Sequence, residues 1–320
     1  MNDFNLAKPR AAVHSIDHFA LEVPSVADAE RFFDTFGLEV KRTGERNEAL
    51  DLYAVDGHRW ARILPSARKR LAYLSFNCFD SDVVALRDQV EVAGGAICTA
   101  PAGVDPSGIW FHDPDGNLIQ VKPGPKTTPD SKDRHVHSGG VANERGASTR
   151  SATAPVRPRR LSHVLLFTSD VLRAVDFYER AIGLRLSDRS MNLIAFTHAP
   201  HGCDHHLVAF AKSAGRGWHH SSWDVENVDR VGEGAAQMAA AGYVRGWGTG
   251  RHVLGSNYFH YVQDPWGSFC EYSANIDFVS AGITWASGNF LPEESLYLWG
   301  PEVPDDFVRN TEVDAPGVEG

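Results

Sequence analysis

Apolar and polar positions alternate over residues 16–23 (IDHFALEV), the period-2 pattern of a half-buried strand. Over residues 25–36 the spacing becomes helical. Ser25 suits the N-cap, Ala29, Phe32, Phe33 and Phe36 share one face, and Gly37 supplies the stop. Three short strand-like runs follow at 38–43, 49–55 and 59–64, so the unit reads βαβββ. The unit then recurs, with a strand at 71–78, a helix at 81–93 ended by Gly94-Gly95, and strands near Ile97, at 109–112 and at 117–122.

From 126 to 158 this pattern stops. The stretch is rich in Ser, Thr, Gly, Pro and charge with almost no large apolar residue, so it predicts a flexible linker. Past it, 161–168 restarts the unit, with a helix at 172–181 and strands near Leu184, near Leu193 and at 206–211. A fourth copy has a strand at 218–225 and a helix at 228–240. It closes through a hairpin over 251–271, turned at Asp264-Pro265-Trp266-Gly267.

The copies align residue by residue. Ile16-Asp17-His18 matches Leu161-Ser162-His163, and Asp113-Pro114-Asp115-Gly116 matches Asp264-Pro265-Trp266-Gly267. The predicted fold is α+β, with four βαβββ modules paired into two cupped mixed sheets. The division is 1–125 for a non-catalytic N-terminal pair, 126–158 for the linker, 159–290 for a metal-binding C-terminal pair and 291–320 for a C-terminal arm. The arm reads as lying over the second half, as a cover of the site or a contact between subunits.

Composition narrows the partners. Acidic residues outnumber basic ones, 41 to 31, which disfavours nucleic acid and anionic membrane surfaces. No run approaches the ~18 apolar residues of a bilayer span. Cys78, Cys98, Cys203 and Cys270 form no CxxC pair, and Met1-Asn2-Asp3-Phe4 lacks the start of a signal peptide, so a cytoplasmic address is expected.

The alignment sets His163 against His18, His220 against Ala72, and Glu271 against Gln120. Only the second half keeps all three candidate ligands. A buried carboxylate is costly unless a cation meets it, and two imidazoles with one carboxylate on a sheet face form a ligand set for non-haem Fe(II), with Mn(II) tolerated. Of the adjacent pair His219 and His220, only one can face the cup, and register with Trp223 favours His220. Quasi-symmetry puts His206 opposite Glu271, where a general acid or base could work. His205 has the weaker case, and His198 and His201 read as loop or rim residues.

The runs Leu161-Ser162-His163-Val164, Asp204-His205-His206-Leu207, His219-His220-Ser221-Ser222-Trp223, Gly250-Arg251-His252 and Tyr258-Phe259-His260-Tyr261 through Glu271 resemble the type I extradiol catechol dioxygenases of the vicinal oxygen chelate superfamily. The likeness covers about 16–276, and the long linker departs from it. The resemblance implies a vicinal-oxygen-chelate fold and Fe(II) on His163, His220 and Glu271. It also implies an acid/base role for His206, with His252 and Tyr261 on the catechol oxygens. The expected partners are a catecholic substrate and O2, and the expected assembly is a homo-oligomer. The alternatives are a metal-dependent isomerase, lyase or transferase, which needs no O2, or a sequestering binding protein, which needs no ligand triad.

Overall fold

The computed structural model describes residues 10–132 and 141–313. Parts of the expected N-terminal unit, linker and arm, at 1–9, 133–140 and 314–320, lie outside the described residues. The first module is β1 (Val13–Val23), α1 (Val26–Phe36), β2 (Glu39–Thr43), β3 (Ala49–Tyr53) and β4 (Arg59–Pro65). The second is β5 (Arg70–Cys78), α2 (Val83–Ala93), β6 (Ala96–Cys98), β7 (Ile109–His112) and β8 (Leu118–Pro123). They share one eight-stranded mixed sheet in the order β2-β3-β4-β1-β5-β8-β7-β6, joined by antiparallel β1 and β5.

The second half repeats the scheme. Its third module is β9 (Arg160–Thr168), α3 (Val171–Ile182), β10 (Arg185–Ser190), β11 (Ile194–His198), β12 (Cys203–Asp204) and β13 (Val208–Lys212). The fourth is β14 (Gly217–Asp224), α4 (Val228–Ala240), β15 (Gly246–Arg251), β16 (Tyr258–Gln263) and β17 (Phe269–Ala274). Beyond it, β18 (Phe278–Val279) pairs with β12, and β19 (Asn289–Phe290) adds to the edge of the main sheet beside β10. That sheet runs β15-β16-β17-β14-β9-β13-β11-β10-β19, with antiparallel β9 and β14 side by side.

Local chemistry fixes the element ends. Ser25 Oγ accepts from Asp28 N at 3.2 Å, and Asp170 and Asn227 cap α3 and α4 in the same way. Gly37 closes α1 at φ 98°, and a Cβ there would lie 2.0 Å from the Val156 carbonyl oxygen, so glycine is needed twice over. In the closing hairpin, Asp264 Oδ1 accepts from Trp266 N at 2.8 Å and Ser268 N at 2.9 Å, which makes the Asp-Pro-Trp-Gly turn self-supporting.

The two halves share one core. Phe36 stacks on Tyr272 with centroids 4.0 Å apart, the Tyr272 hydroxyl donates to the Phe36 carbonyl at 2.8 Å, and Tyr178 donates to Asp113 at 3.0 Å. The described ends of the expected linker are tied down. Thr127 Oγ1 donates to Ile16 O at 2.6 Å, Lys132 Nζ to Ile276 O at 2.7 Å, and Val55 N to Pro158 O at 3.0 Å, while Val156 is buried.

Three local expectations are corrected. The helix expected from 81 begins at Val83, after a 3-10 turn over Asp80–Asp82. His206 precedes β13 and is not in a strand. Val164 pairs with Val208, so Leu207 takes the place opposite Glu271 and His206 enters from the turn. The counterpart of His220 is Tyr73, not Ala72. Ala20 faces Tyr73 as Leu165 faces His220, and bulges skip Ala72 in one copy and His219 in the other.

Those bulges explain what the first half does with the corresponding positions. His18 Nδ1 donates to Asp17 at 2.6 Å and its Nε2 accepts from the Tyr73 hydroxyl at 2.9 Å. Gln120 accepts from Ser75 Oγ at 2.8 Å and donates to Ser107 O at 3.0 Å. Each polar end is satisfied within the protein, so nothing there calls for a cation.

His14 and His198 are buried, and neither Nε2 has a hydrogen-bond partner among the described residues. Burial pushes both rings down to about 4, helped by His201 beside His14 and His205 beside His198. Between pH 6.5 and 4 the unfolded chain therefore holds protons that the folded chain does not. Stability should fall as pH falls through that window, by up to roughly 1.4 kcal/mol per pH unit for each ring. Urea midpoints measured from pH 7 to pH 4 should decline steadily, whereas level midpoints would mean that the folded chain accommodates both charges.

Candidate metal centre and active site

Three neighbouring strands in the middle of the second sheet bring the candidate ligands together. His163 lies on β9, His220 on β14 and Glu271 on β17, and Ser222 pairs with both His163 and Glu271, which puts all three side chains on one face. One ligand atom from each lies within 4.8 Å of the others. His163 Nε2 is 3.3 Å and His220 Nε2 3.7 Å from Glu271 Oε2.

The protein sets the tautomer of both imidazoles. Ser162 Oγ donates to Asp204 Oδ2 at 2.8 Å, so it can only accept from His163 Nδ1 at 3.2 Å, and a neutral His163 presents a bare Nε2. Arg160 and Lys132 hold Asp204 from the other side and keep its carboxyl at about 2 against the opposing effect of burial. His219 Nε2 donates to the Phe307 carbonyl at 2.7 Å. Its Nδ1 then accepts from His220 Nδ1 at 2.7 Å, and the His220 Nε2 is also left bare. His219 thus stands behind the candidate ligand His220 and orients its ring.

Glu271 is fully buried, and its ion-pair partners among the described residues are all histidines. Asn257 Nδ2 donates to its Oε1 at 2.9 Å and also holds Ser273 Oγ at 2.9 Å, while Oε2 makes no hydrogen bond among the described residues. Burial raises the carboxyl, but the neighbouring His163 and His252 and the Ser222 hydroxyl outweigh it, so the group remains an anion. His220 Nε2 is likewise without a partner, and burial first, then the rings of His219 and His163, keep this ring neutral. A buried anion and two bare nitrogens converging on one point fit a divalent cation.

Around this point stand the remaining candidates. His206 has its ring centroid 3.9 Å from that of His163, and burial together with His163 and His205 keeps it neutral. His252 Nδ1 donates to the Leu296 carbonyl at 2.6 Å, which leaves its Nε2 to accept from the Tyr261 hydroxyl at 2.9 Å. Burial and the nearby Glu271 charge push the Tyr261 phenol up. His163, His206, His220, His252 and Tyr261 line one cavity, whose walls include Leu165, Ile194, Phe196, Ala211 and Leu254, with Leu296 and Phe307 contributed by the arm.

His198 and His201 do not join the cluster. His198 bonds Ser187 Oγ at 2.7 Å and His201 packs edge-on against Phe79 at 4.9 Å. The supports that sequence reasoning missed are the Leu296 and Phe307 carbonyls, the Ser162–Asp204 pair and the role of Asn257. Backbone carbonyls leave no trace in a sequence. Asn257, in contrast, stands within the hairpin motif, four residues before Tyr261.

Residues 160–272 match the family model described as the Glyoxalase/Bleomycin resistance protein/Dioxygenase superfamily. The Mn(II)-bound glyoxalase from Novosphingobium aromaticivorans shares the fold over 92% of this chain and 94% of its own, with a TM-score of 0.73 at 24% identity. An extradiol ring-cleaving dioxygenase from B. fuscum does so over 94% and 83%, with a TM-score of 0.73 at 18% identity. A far nearer relative, Metapyrocatechase 2 of Cupriavidus necator, is 61% identical over 306 residues, 96% of this chain and 95% of that protein. The chain belongs to the metapyrocatechase family of this superfamily.

Because Gln120 and Tyr73 are satisfied where Glu271 and His220 are not, the full chain should bind one equivalent of divalent metal. His18→Ala should keep that equivalent. Glu271→Gln should weaken it by more than the ~10–100-fold typical of losing a supporting residue, while the protein stays folded. Metal analysis and circular dichroism of the three proteins check this, and two equivalents with one lost in His18→Ala would overturn it.

Proposed function

We propose that the chain is an Fe(II)-dependent extradiol dioxygenase that opens a catechol ring beside, rather than between, its two hydroxyls and adds both atoms of O2 to give a hydroxymuconic semialdehyde-type product. The observation that carries this reading is the convergence of His163, His220 and Glu271 beneath a cavity that also presents His206, His252 and Tyr261, in a chain 61% identical to Metapyrocatechase 2. Mn(II) would suit the same donors. When bound, the metal supplies a site for two adjacent substrate oxygens and O2 and a route for electrons between them.

What the chain's own residues do follows from their hydrogen bonds. Tyr261 and His252 form a donor–acceptor pair whose direction is set by the Leu296 carbonyl, so they can bond a catechol oxygen and take up its proton. His206 faces the cavity as a neutral ring that can receive a proton and hand it on. The apolar walls hold the ring and exclude water, which strengthens each of these polar contacts. Among the described residues no Lys or Arg lines the cavity, so catechols with a hydrogen or a small alkyl group should fit better than those carrying a carboxylate.

A metal-dependent isomerase or lyase would need the three ligands but would leave the His206, His252 and Tyr261 set without work. A homo-oligomer in a reducing cytoplasm completes the reading. All four cysteines are free, and no helix among the described residues is long and apolar enough to cross a membrane. Light scattering on the purified chain checks the assembly.

If His206 moves protons, His206→Phe should retain metal and anaerobic catechol binding yet turn over roughly a hundredfold or more slowly. Tyr261→Phe should mainly weaken and reorient the bound catechol. Anaerobic titration, aerobic product formation and metal content for both variants decide it. Loss of metal in His206→Phe would make that ring a ligand, and wild-type turnover would leave it structural. In the wild type, a carboxylated catechol handled as well as the unsubstituted one would contradict the reading of the cavity.

A further inference from the structure

Behind His206 lies a buried chain of polar groups that the proposed chemistry does not use. His205 Nδ1 is 3.1 Å from His206 Nδ1, and His205 Nε2 is 2.8 Å from Asp188 Oδ2. Asp188 is itself fixed, since its Oδ1 accepts from Gly288 N at 2.6 Å and its Oδ2 from Trp285 Nε1 at 3.3 Å. The His205 backbone is held too, with its N–H donating to Asp277 O at 2.7 Å and its carbonyl accepting from Ser187 Oγ at 2.5 Å. Both rings are almost wholly shielded from solvent.

We propose that Asp188 and His205 are positioning residues that fix the tautomer of His206, keeping its proton on Nδ1 and leaving Nε2 bare toward the cavity. The reasoning is proton counting. A carboxylate only accepts, so His205 Nε2 carries a hydrogen, and a neutral His205 then has only a lone pair at Nδ1. Two facing Nδ1 atoms bond only if one carries a hydrogen, and here that one is on His206. The Nδ1 contact is the only hydrogen bond of the His206 ring among the described residues, and the ring lines the cavity. The same device serves His220, where the Phe307 carbonyl plays the part of Asp188 and His219 that of His205. One pair would thus prepare a metal ligand and the other a proton acceptor.

This inference rests on the acid/base reading of His206 for its purpose, but not for its geometry. In a full-length protein labelled with 15N and loaded with zinc as a diamagnetic metal, long-range 15N–1H spectra should show His206 protonated on Nδ1 and bare on Nε2. The reverse pattern, which a doubly protonated His205 would impose, overturns the proposal. His205→Phe keeps the ring shape without nitrogens, whereas in His205→Gln the side-chain carbonyl can accept from His206 Nδ1 and the amide can donate to Asp188. With iron content measured, His205→Phe should lose at least about tenfold in kcat with KM within about twofold, and His205→Gln should recover most of the loss. Equal damage in both variants, or loss of metal and substrate affinity in place of kcat, makes His205 a core histidine only. The expected tautomer together with wild-type turnover by His206→Phe would instead retire the acid/base reading and leave the relay standing.

Discussion

A carboxylate in the dry middle of a β-sheet has to meet positive charge, and the second half of this chain is arranged around that requirement. Glu271 has one oxygen held by Asn257 and one with no hydrogen bond. The residues nearest that free oxygen are imidazoles whose outer nitrogens are each committed elsewhere, to Ser162 and through it to Asp204, or to His219 and through it to a carbonyl of the arm. Leaving such an anion unmet costs several kcal/mol. A cation at that point would relieve the carboxylate and both bare nitrogens together, and in the proposed reading substrate binding, proton transfer and O2 chemistry would all rest on it.

The first half is the control that nature supplies. It has the same strand order about its own centre, the same central histidine and the same Asp-Pro-x-Gly turn before its last strand. Yet Tyr73 and Gln120 turn the corresponding positions into a closed hydrogen-bond set, and Trp110, which pairs with Gln120 as Tyr261 pairs with Glu271, packs against Tyr73 at 5.2 Å. The first half therefore presents no bare ligand set at the corresponding described positions. Its Phe36 ring, at the end of α1, stacks on Tyr272, one residue from Glu271, so that helix buttresses the strand that carries the carboxylate.

The module order and most element ends were legible in the sequence because caps, glycine stops and apolar periodicity are local. The grouping of His163, His220 and Glu271 was legible because the repeat exposes which copy carries two imidazoles and a carboxylate at the matching positions. What slipped was register. A β-bulge adds one residue without changing the pattern on either side, so matching His220 to Ala72 looks sound along the chain and is wrong by one in space. His206 slipped for a related reason, since the chain leaves the strand just before Val208 and a ring can then enter the site from a turn. The arm's contribution was the least legible, because two backbone carbonyls, of Leu296 and Phe307, carry it.

The fold and the metal point would serve several chemistries, and what separates them is the fate of molecular oxygen. The most direct measurement is mass spectrometry of the product formed from catechol by the iron-loaded full chain under 18O2, combined with the position of ring opening. Two 18O atoms in an open-chain product cleaved beside the hydroxyls is the expected result. A product without 18O, or one opened between the hydroxyls, would contradict the extradiol assignment.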